Sequence, residues 1–315
     1  MALQKAKATK ATKTKSKIKK RMVMAPLMML IPWFLGMAFF RVYPIFLSFW
    51  YSLTNFPLLG ERTFIGLDNF RQIFLNDTTF HASAIATLRY VFFGTPMVLA
   101  AALFIAFVLN FKLKGVNIFR TAYYVPSILG GNVAVSILWV QMFRNNGLIN
   151  SAINNFNNAT PEFANIPIVF WLTSETWAPF TLMLLSAWQF GSVMLIFLAA
   201  LQNVSPSLYE AASIDGAKGW RQFRSITLPI ITPVVLFNAV NVLLRHFQEF
   251  NSAFLVTSGG PNQSTLFFSL YIYDMAFQRL QMGYASALTW ISLAAIGVFT
   301  LILFFSSKYW VHYND

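Results

Sequence analysis

From Ile85 to Phe111 the chain runs 27 residues with one charged side chain, Arg89. A helix of that length spans ~40 Å, more than the ~30 Å hydrocarbon core of a bilayer. In hydrocarbon every backbone N–H and C=O must find its partner within the protein, so such a run folds as a transmembrane helix. Comparable apolar runs occupy Met22 to Tyr51, Thr121 to Phe143, Ala178 to Leu201, Pro229 to Phe250 and Tyr284 to Ser306. With 57% hydrophobic and only 10% charged residues, the chain has too little polar surface for a water-soluble domain. The expected fold class is therefore an all-α polytopic membrane protein of about six transmembrane helices. The first run is too long for a signal-peptide core and no small-residue cleavage site follows it, so it reads as a retained span. Its prolines at 26, 32 and 44 are expected to bend or break it.

A net charge of +13 raises the question of a nucleic-acid partner, which the distribution of the charge answers. Nine of the 23 basic residues lie between Lys5 and Arg21, in a segment whose apolar content is mostly alanine. Residues 1–21 read as a disordered basic tail against anionic headgroups, with no nucleic-acid role. An even number of spans puts both termini on one side. With that side cytoplasmic, Lys112, Lys114, Arg120, Lys218, Arg221, Arg224 and Lys308 join the tail, making sixteen of 23 basic residues inside. The remaining seven, Arg41, Arg62, Arg71, Arg89, Arg144, Arg245 and Arg279, fall in outer loops, near span ends or within spans. Residues 22–315 form one transmembrane domain with neither an internal repeat nor a separate soluble unit.

Three connections carry information. Ser52 to Ser83 is polar, and its Phe64 to Phe70 segment sets a Gly-Leu-Asp-Asn turn between aromatic residues, an ordered interfacial loop. Arg144 to Trp177 is rich in asparagine. The stretch at about 203–229 is polar and basic in an otherwise apolar region. There Ser205 can cap a short helix beginning at Pro206, while Ser207 and Glu210 offer a competing capping box, and Gly216 ends the helix. Ala211 and Ala212 leave the backbone approachable beside the Glu210 carboxylate, which suits a docking surface. A second short helix is expected over 217–225, and Pro229 then opens the fifth span.

Within the membrane, Asn238, Asn241, Arg245, Gln248 and Ser252 are spaced to line one stripe of the fifth span. A charge near the bilayer centre costs about 2.5–3.5 kcal/mol, so Arg245 should face protein or water. Glu249 stands four residues on. The two are either pathway groups or a salt bridge near the outer end of the span that holds loops. His246 lies about 100° round the helix from Arg245. The fourth span contributes Ser186, Trp188, Gln189 and Ser192, as pathway groups or as helix-packing hydrogen bonds. Gly130-Gly131 in the third span marks close packing. The chain has no phosphate-binding loop, no paired-carboxylate or Ser/His/Asp set, no cysteine, and histidines only at 81, 246 and 312. Catalysis, ATP binding and metal binding are thus expected elsewhere.

The order Glu210-Ala211-Ala212, three residues, Gly216, nine residues, Ile226, one residue, Leu228-Pro229 resembles the EAA loop of permease subunits of bacterial ATP-binding-cassette importers. FIGLDNF at 64–70, FRTAYYVPSIL at 119–129, TSGGPNQST at 257–265 and GYASAL at 283–288 are similar to the carbohydrate-uptake branch, most of all to its maltose-importer-like first membrane subunit. The resemblance implies a type I importer permease of a bacterial inner membrane that moves an oligosaccharide or sugar derivative by alternating access. It also implies a second permease subunit as heterodimer partner, two ATPase subunits that hold the ATP and Mg, and an extracytoplasmic solute-binding protein. Glu210, Ala211, Ala212, Asp215, Gly216, Leu228 and Pro229 would couple to the ATPase, and Gly259, Gly260 and Pro261 would face the binding protein. The family's sugar-contacting positions fall around Gln189 and around His246 and Glu249, where maltose-type members favour asparagines at the latter two. A permease for another solute such as a glycerol phosphate, and an ATPase-independent channel or carrier, are the alternatives.

Overall fold

The computed structural model describes residues 28–58, 60–111, 115–160 and 166–312. The basic tail, the first six residues of the first apolar run, and Lys112 and Lys114 lie outside the described residues. Helix α1, Met28–Ser52, leans on the last helix of the chain through contacts such as Phe49 against Trp290, ring centroids 5.1 Å apart. It does not break at Pro32 or Pro44, and Pro26 lies outside the described residues. One wide turn, Ala38–Val42, precedes Pro44 and absorbs the hydrogen bond that the missing N–H would have made.

A short hairpin of β1 (Thr54–Asn55) and β2 (Thr63–Phe64) follows, antiparallel, with Thr54 opposite Phe64. Asn69, in α2 (Asp68–Asn76), donates from Nδ2 to the carbonyls of Ser52 and Thr54 at 2.8 and 3.0 Å, so the loop is ordered as expected. The central helix α3, Thr78–Leu109, starts seven residues before the apolar run that signals it. Its start is set by Asp77, whose side chain accepts the Phe80 N–H at 2.9 Å.

Two of the expected spans are bent pairs. The third comprises α4 (Val116–Leu129) and α5 (Val133–Phe143), broken at Gly130 to Asn132, where Val116–Leu129 and the following arm, Val133–Ala159, are bent by 100°. Asn132 caps α5 by accepting the Ala134 N–H at 3.0 Å. The asparagine-rich connection holds a helix of its own, α6 (Leu148–Ala159). The fourth span comprises α7 (Trp177–Trp188) and α8 (Gly191–Gln202), bent by 49°. Gly191 is buried there against α4. A Cβ on it would stand 2.7 Å from the Tyr123 carbonyl oxygen and 2.9 Å from the Tyr124 Cα, so only glycine permits this approach.

Helix α9, Pro206–Ile214, is the short helix expected after Ser205, although Ser205 Oγ bonds to Ser207 Oγ at 2.7 Å rather than capping a backbone N–H. The second short helix and the fifth span are one continuous helix, α10, Trp220–Phe247, so Pro229 lies inside it rather than opening it. A wide turn at Phe223–Thr227 frees the backbone where Pro229 lacks its N–H. Helix α11 (Phe268–Tyr273) and α12 (Met282–Trp310) complete the chain. Counting each bent pair once, the described residues hold six candidate spans. Leu109, Phe197, Leu201, Val204 and Ile231 form a buried cluster at the α9 end of the bundle, and Ile73, Phe80, Tyr271 and Leu288 form one at the opposite end.

Candidate functional site

Depth in the bundle is read from α3, whose midpoint falls at Phe93 and Gly94. His246 packs at that level. A Cβ on Gly94 would meet its Cε1 at 3.2 Å, and its Nδ1 lies 2.9 Å from Thr95 Oγ1. Arg245 and His246 therefore stand opposite the middle of α3.

Three interruptions gather at the same depth. The α7–α8 break holds Gln189, whose Nε2 donates to the Gly130 carbonyl in the α4–α5 break at 3.0 Å. Ser127 Oγ ties the two breaks again, donating to the Gln189 carbonyl and accepting the Ser192 N–H at 3.0 Å. Helix α10 ends at Phe247 on this level. Irregular backbone within a membrane protein persists only where it is buried or lines a polar cavity. Here a small cavity of about 70 Å³ lies among Tyr90, Gly130, Ser186, Gln189, Glu249 and Ser252.

The predicted pathway residues do not form one set. Ser186, Gln189 and Glu249 line the cavity, and Ser252 with them. His246 is 2% exposed and sits behind it, its Nε2 2.8 Å from Ser186 Oγ, a packing centre and not a wall. Asn238 is buried lower in α10, while Asn241, Arg245 and Gln248 occupy an exposed face of that helix, so the stripe divides. Asn241 spends its Nδ2 on the Phe237 carbonyl one turn earlier, at 2.7 Å. Ser192 is exposed, and Trp188 turns away into an apolar groove with Met97 and Phe104. The Arg245–Glu249 pair does not form. The helix ends between them, and Glu249 Oε1 instead accepts the Ser252 N–H and Oγ–H at 2.9 and 2.8 Å. Tyr90 and Thr95, both buried at the centre, escaped sequence reasoning because a tyrosine or threonine in an apolar run carries no signal of its own.

At the far end of α10 the 203–229 stretch builds a projecting surface. Glu210, Ala211, Asp215 and Gly216 are exposed, and Ile214 is 87% exposed, an apolar side chain left uncovered by the described residues. Gly216, at φ +78°, closes α9, and the Ala217 N–H returns to the Ala212 carbonyl at 2.9 Å. Two side chains fasten α9 to the root of α10. Tyr209 Oη bonds Thr227 Oγ1 at 2.8 Å, and Gln222 Nε2 reaches Ser213 Oγ and the Ala217 carbonyl, each at 2.9 Å. Leu228 packs with Tyr209 against the buried cluster beneath, and Pro229 is half-buried beside it.

On the opposite end, Gly259 is buried, at φ +82°, against Leu266, and Gly260 is held by Thr265 Oγ1 donating to its carbonyl at 2.7 Å. These glycines and the half-buried Pro261 shape the loop, while Asn262 and Gln263 are the side chains it exposes.

Residues 82–315 match the family described as binding-protein-dependent transport system inner membrane component. A probable ABC transporter permease protein, YesP of Bacillus subtilis (strain 168), is 45% identical over 287 residues, covering 90% of each chain. The lactose transport system permease protein LacF of Rhizobium radiobacter is 31% identical over 85% of this chain and 89% of its own. Among solved structures, a chain of a bacterial alginate ABC transporter superposes with a TM-score of 0.72 at 22% identity, over 93% of this chain and 96% of that one, which shows the shared fold.

Proposed function

The chain belongs to the inner-membrane components of binding-protein-dependent transport systems, and on that footing we propose that it is the importer permease subunit that carries an oligosaccharide or sugar derivative by alternating access. Its partners in this reading are a second permease chain, two ATPase chains that bind the ATP, and an extracytoplasmic binding protein. Glu210, Ala211, Asp215 and the exposed Ile214 dock on an ATPase, and Asn262 and Gln263 meet the binding protein. Of the observations, the continuity of α10 carries most of the weight. One helix is fastened to α9 at its root by Thr227 and Gln222 and reaches the level of the helix breaks at His246. A push on α9 is therefore delivered to the interrupted helices without an intervening flexible joint, which is what a rocking, alternating-access cycle requires. A sugar cargo is supported by the relative described as a lactose permease and by the cavity's hydroxyl, amide and carboxylate groups, which suit a polyhydroxylated ligand.

The experiment is ATP hydrolysis by the assembled complex in liposomes with its binding protein, across neutral and acidic oligosaccharides. Stimulation by one class, abolished by Glu210→Lys with membrane insertion intact, is the expected result. Copurification without any ATPase, together with solute flux that needs no ATP, would overturn it.

A further inference from the structure

Arg89 is a cation inside a span and plays no part in the site described above. On α3 it occupies the middle of the exposed face, between Ile85, Phe92, Phe93 and Pro96, all exposed. Among the described residues the one ion pair is Arg279 with Asp274, and Arg89 has none. At the bilayer centre such a charge would cost about 2.5–3.5 kcal/mol, so its depth matters.

Its depth follows from packing. Met183 lies beside Gly94, its Cγ 3.6 Å from where a Cβ would stand. Counting ~1.5 Å per residue, six residues up α7 to Trp177 and five up α3 to Arg89 reach levels within ~2 Å of each other. Trp177 meets aromatic neighbours edge-to-face there, Trp171 at 5.3 Å and Phe180 at 5.7 Å, a belt of the kind that marks a membrane interface. Arg89 thus stands just beneath the headgroups of the leaflet remote from α9.

A groove of about 580 Å³ opens at that level, with Arg89 and Glu175 at its rim and Phe93, Trp177, Phe180 and Met97 on its walls. Met97 also lines a second groove of about 780 Å³, with apolar side chains such as Ala101, Phe104, Leu138 and Leu184, and the spacing of Arg89, Phe93, Met97, Ala101 and Phe104 puts the two grooves along one face of α3 as a trough. From Arg89 to Phe104 the trough descends ~22 Å, deeper than the ~15 Å acyl layer of one leaflet. Glu175 at the rim, in contact with Asn262, fixes the chemistry. A purely anionic headgroup would meet Arg89 but be repelled by this carboxylate. A phosphate followed two carbons later by a primary ammonium satisfies both.

We propose that this trough is a binding site for a zwitterionic aminophospholipid, with its phosphate on Arg89, its ammonium on Glu175 and one acyl chain lying along α3 to Phe104. The arrangement uses the charge-assisted hydrogen bonds that arginine makes to phosphate and leaves neither rim charge unpaired. It does not depend on which solute the protein carries.

The test is native mass spectrometry of the assembled transporter, titrated with phosphatidylethanolamine and phosphatidylglycerol of equal acyl chains. The ethanolamine lipid should be retained preferentially, and Arg89→Ala should reduce its retention about tenfold, the effect of losing one charged hydrogen-bond partner. Ala101→Trp, which fills the trough far from the headgroup, should reduce it as well, and Glu175→Gln should remove the preference over phosphatidylglycerol. The last two variants decide the matter if Arg89→Ala fails to assemble. Equal retention of both lipids by the unaltered complex would overturn the proposal, as would a helix of the second permease chain found lying in the trough.

Discussion

Ser186 on α7 and His246 on α10 share a hydrogen bond, Oγ to Nε2, of 2.8 Å, across 60 residues of sequence. The other ring nitrogen is engaged by Thr95 on α3 at 2.9 Å, so a single imidazole joins three helices at the depth where two of the spans are broken. A neutral imidazole donates from one nitrogen and accepts at the other, and hydroxyls answer in either sense, so the tie needs no charge.

His246→Ala should therefore act on assembly rather than on sugar recognition. It strands two hydroxyls, at about 1–3 kcal/mol for each buried polar group left unpaired, and leaves a void beside Gly94. The melting temperature of the assembled complex should fall and transport with it, while Ser186→Ala, which releases only one partner, should have the milder effect. An unaltered melting temperature with a changed order of preference among sugars would mean that the ring touches substrate instead.

Gln222 and Tyr209 predict the behaviour of α9. Gln222→Ala removes the amide that holds Ser213 Oγ and the Ala217 carbonyl, and Tyr209→Phe removes the bond to the buried Thr227, each at about 1 kcal/mol. Neither touches the exposed face with Glu210 and Ile214. The ATPase should still bind and hydrolyse ATP, but less solute should move per ATP, and amide exchange across 206–214 should quicken. Unchanged exchange with unchanged stoichiometry would show that α9 is held by its apolar packing alone.

The parts of this architecture that could be read in advance are those dictated by the solvent. Apolar runs long enough to cross hydrocarbon located the spans, and the polar interruption at 203–229 stood out because it cannot lie within one. The breaks were hidden for a physical reason. Gly130-Gly131 suits close packing of a straight helix as well as it suits a turn, and what decides between them is Gln189 reaching the Gly130 carbonyl across 59 residues. Only Gly130 is crowded, since nothing lies within 4 Å of a Cβ placed on Gly131. The spacing of Arg245 and Glu249 permits a pair only if the helix continues past Phe247, and helix ends are the least legible feature of an apolar run. The same helix end takes Glu249 and Ser252 off the face that carries Asn241 and Arg245.

Asp77 allows a prediction about pH at the end of the bundle remote from α9. It caps α3, and its carboxylate also accepts the hydroxyls of Tyr271 on α11 and Tyr284 on α12, joining three helices. Partial burial alone would raise its pKa, but the two phenols and the backbone N–H groups of Phe80 and Thr79 outweigh that and hold it below the usual carboxylate value. Tyr271 moves the other way, pushed up by burial first and then by the Asp77 carboxylate, so it stays a donor through the physiological range. A depressed carboxylate contributes stability that is complete above its unfolded-state pKa and disappears as pH falls through the folded-state value. The melting temperature of the complex should therefore show no contribution from Asp77 titration between about pH 6 and 8, and lose this support only in strong acid. Asp77→Asn keeps a capping oxygen for α3 yet offers the two phenols a neutral acceptor, and should lower stability by about 1–2 kcal/mol at neutral pH, with an effect that shrinks as the pH is lowered. An effect equal at pH 7 and in acid would mean that the carboxylate's charge is immaterial and that the helix cap alone accounts for its place.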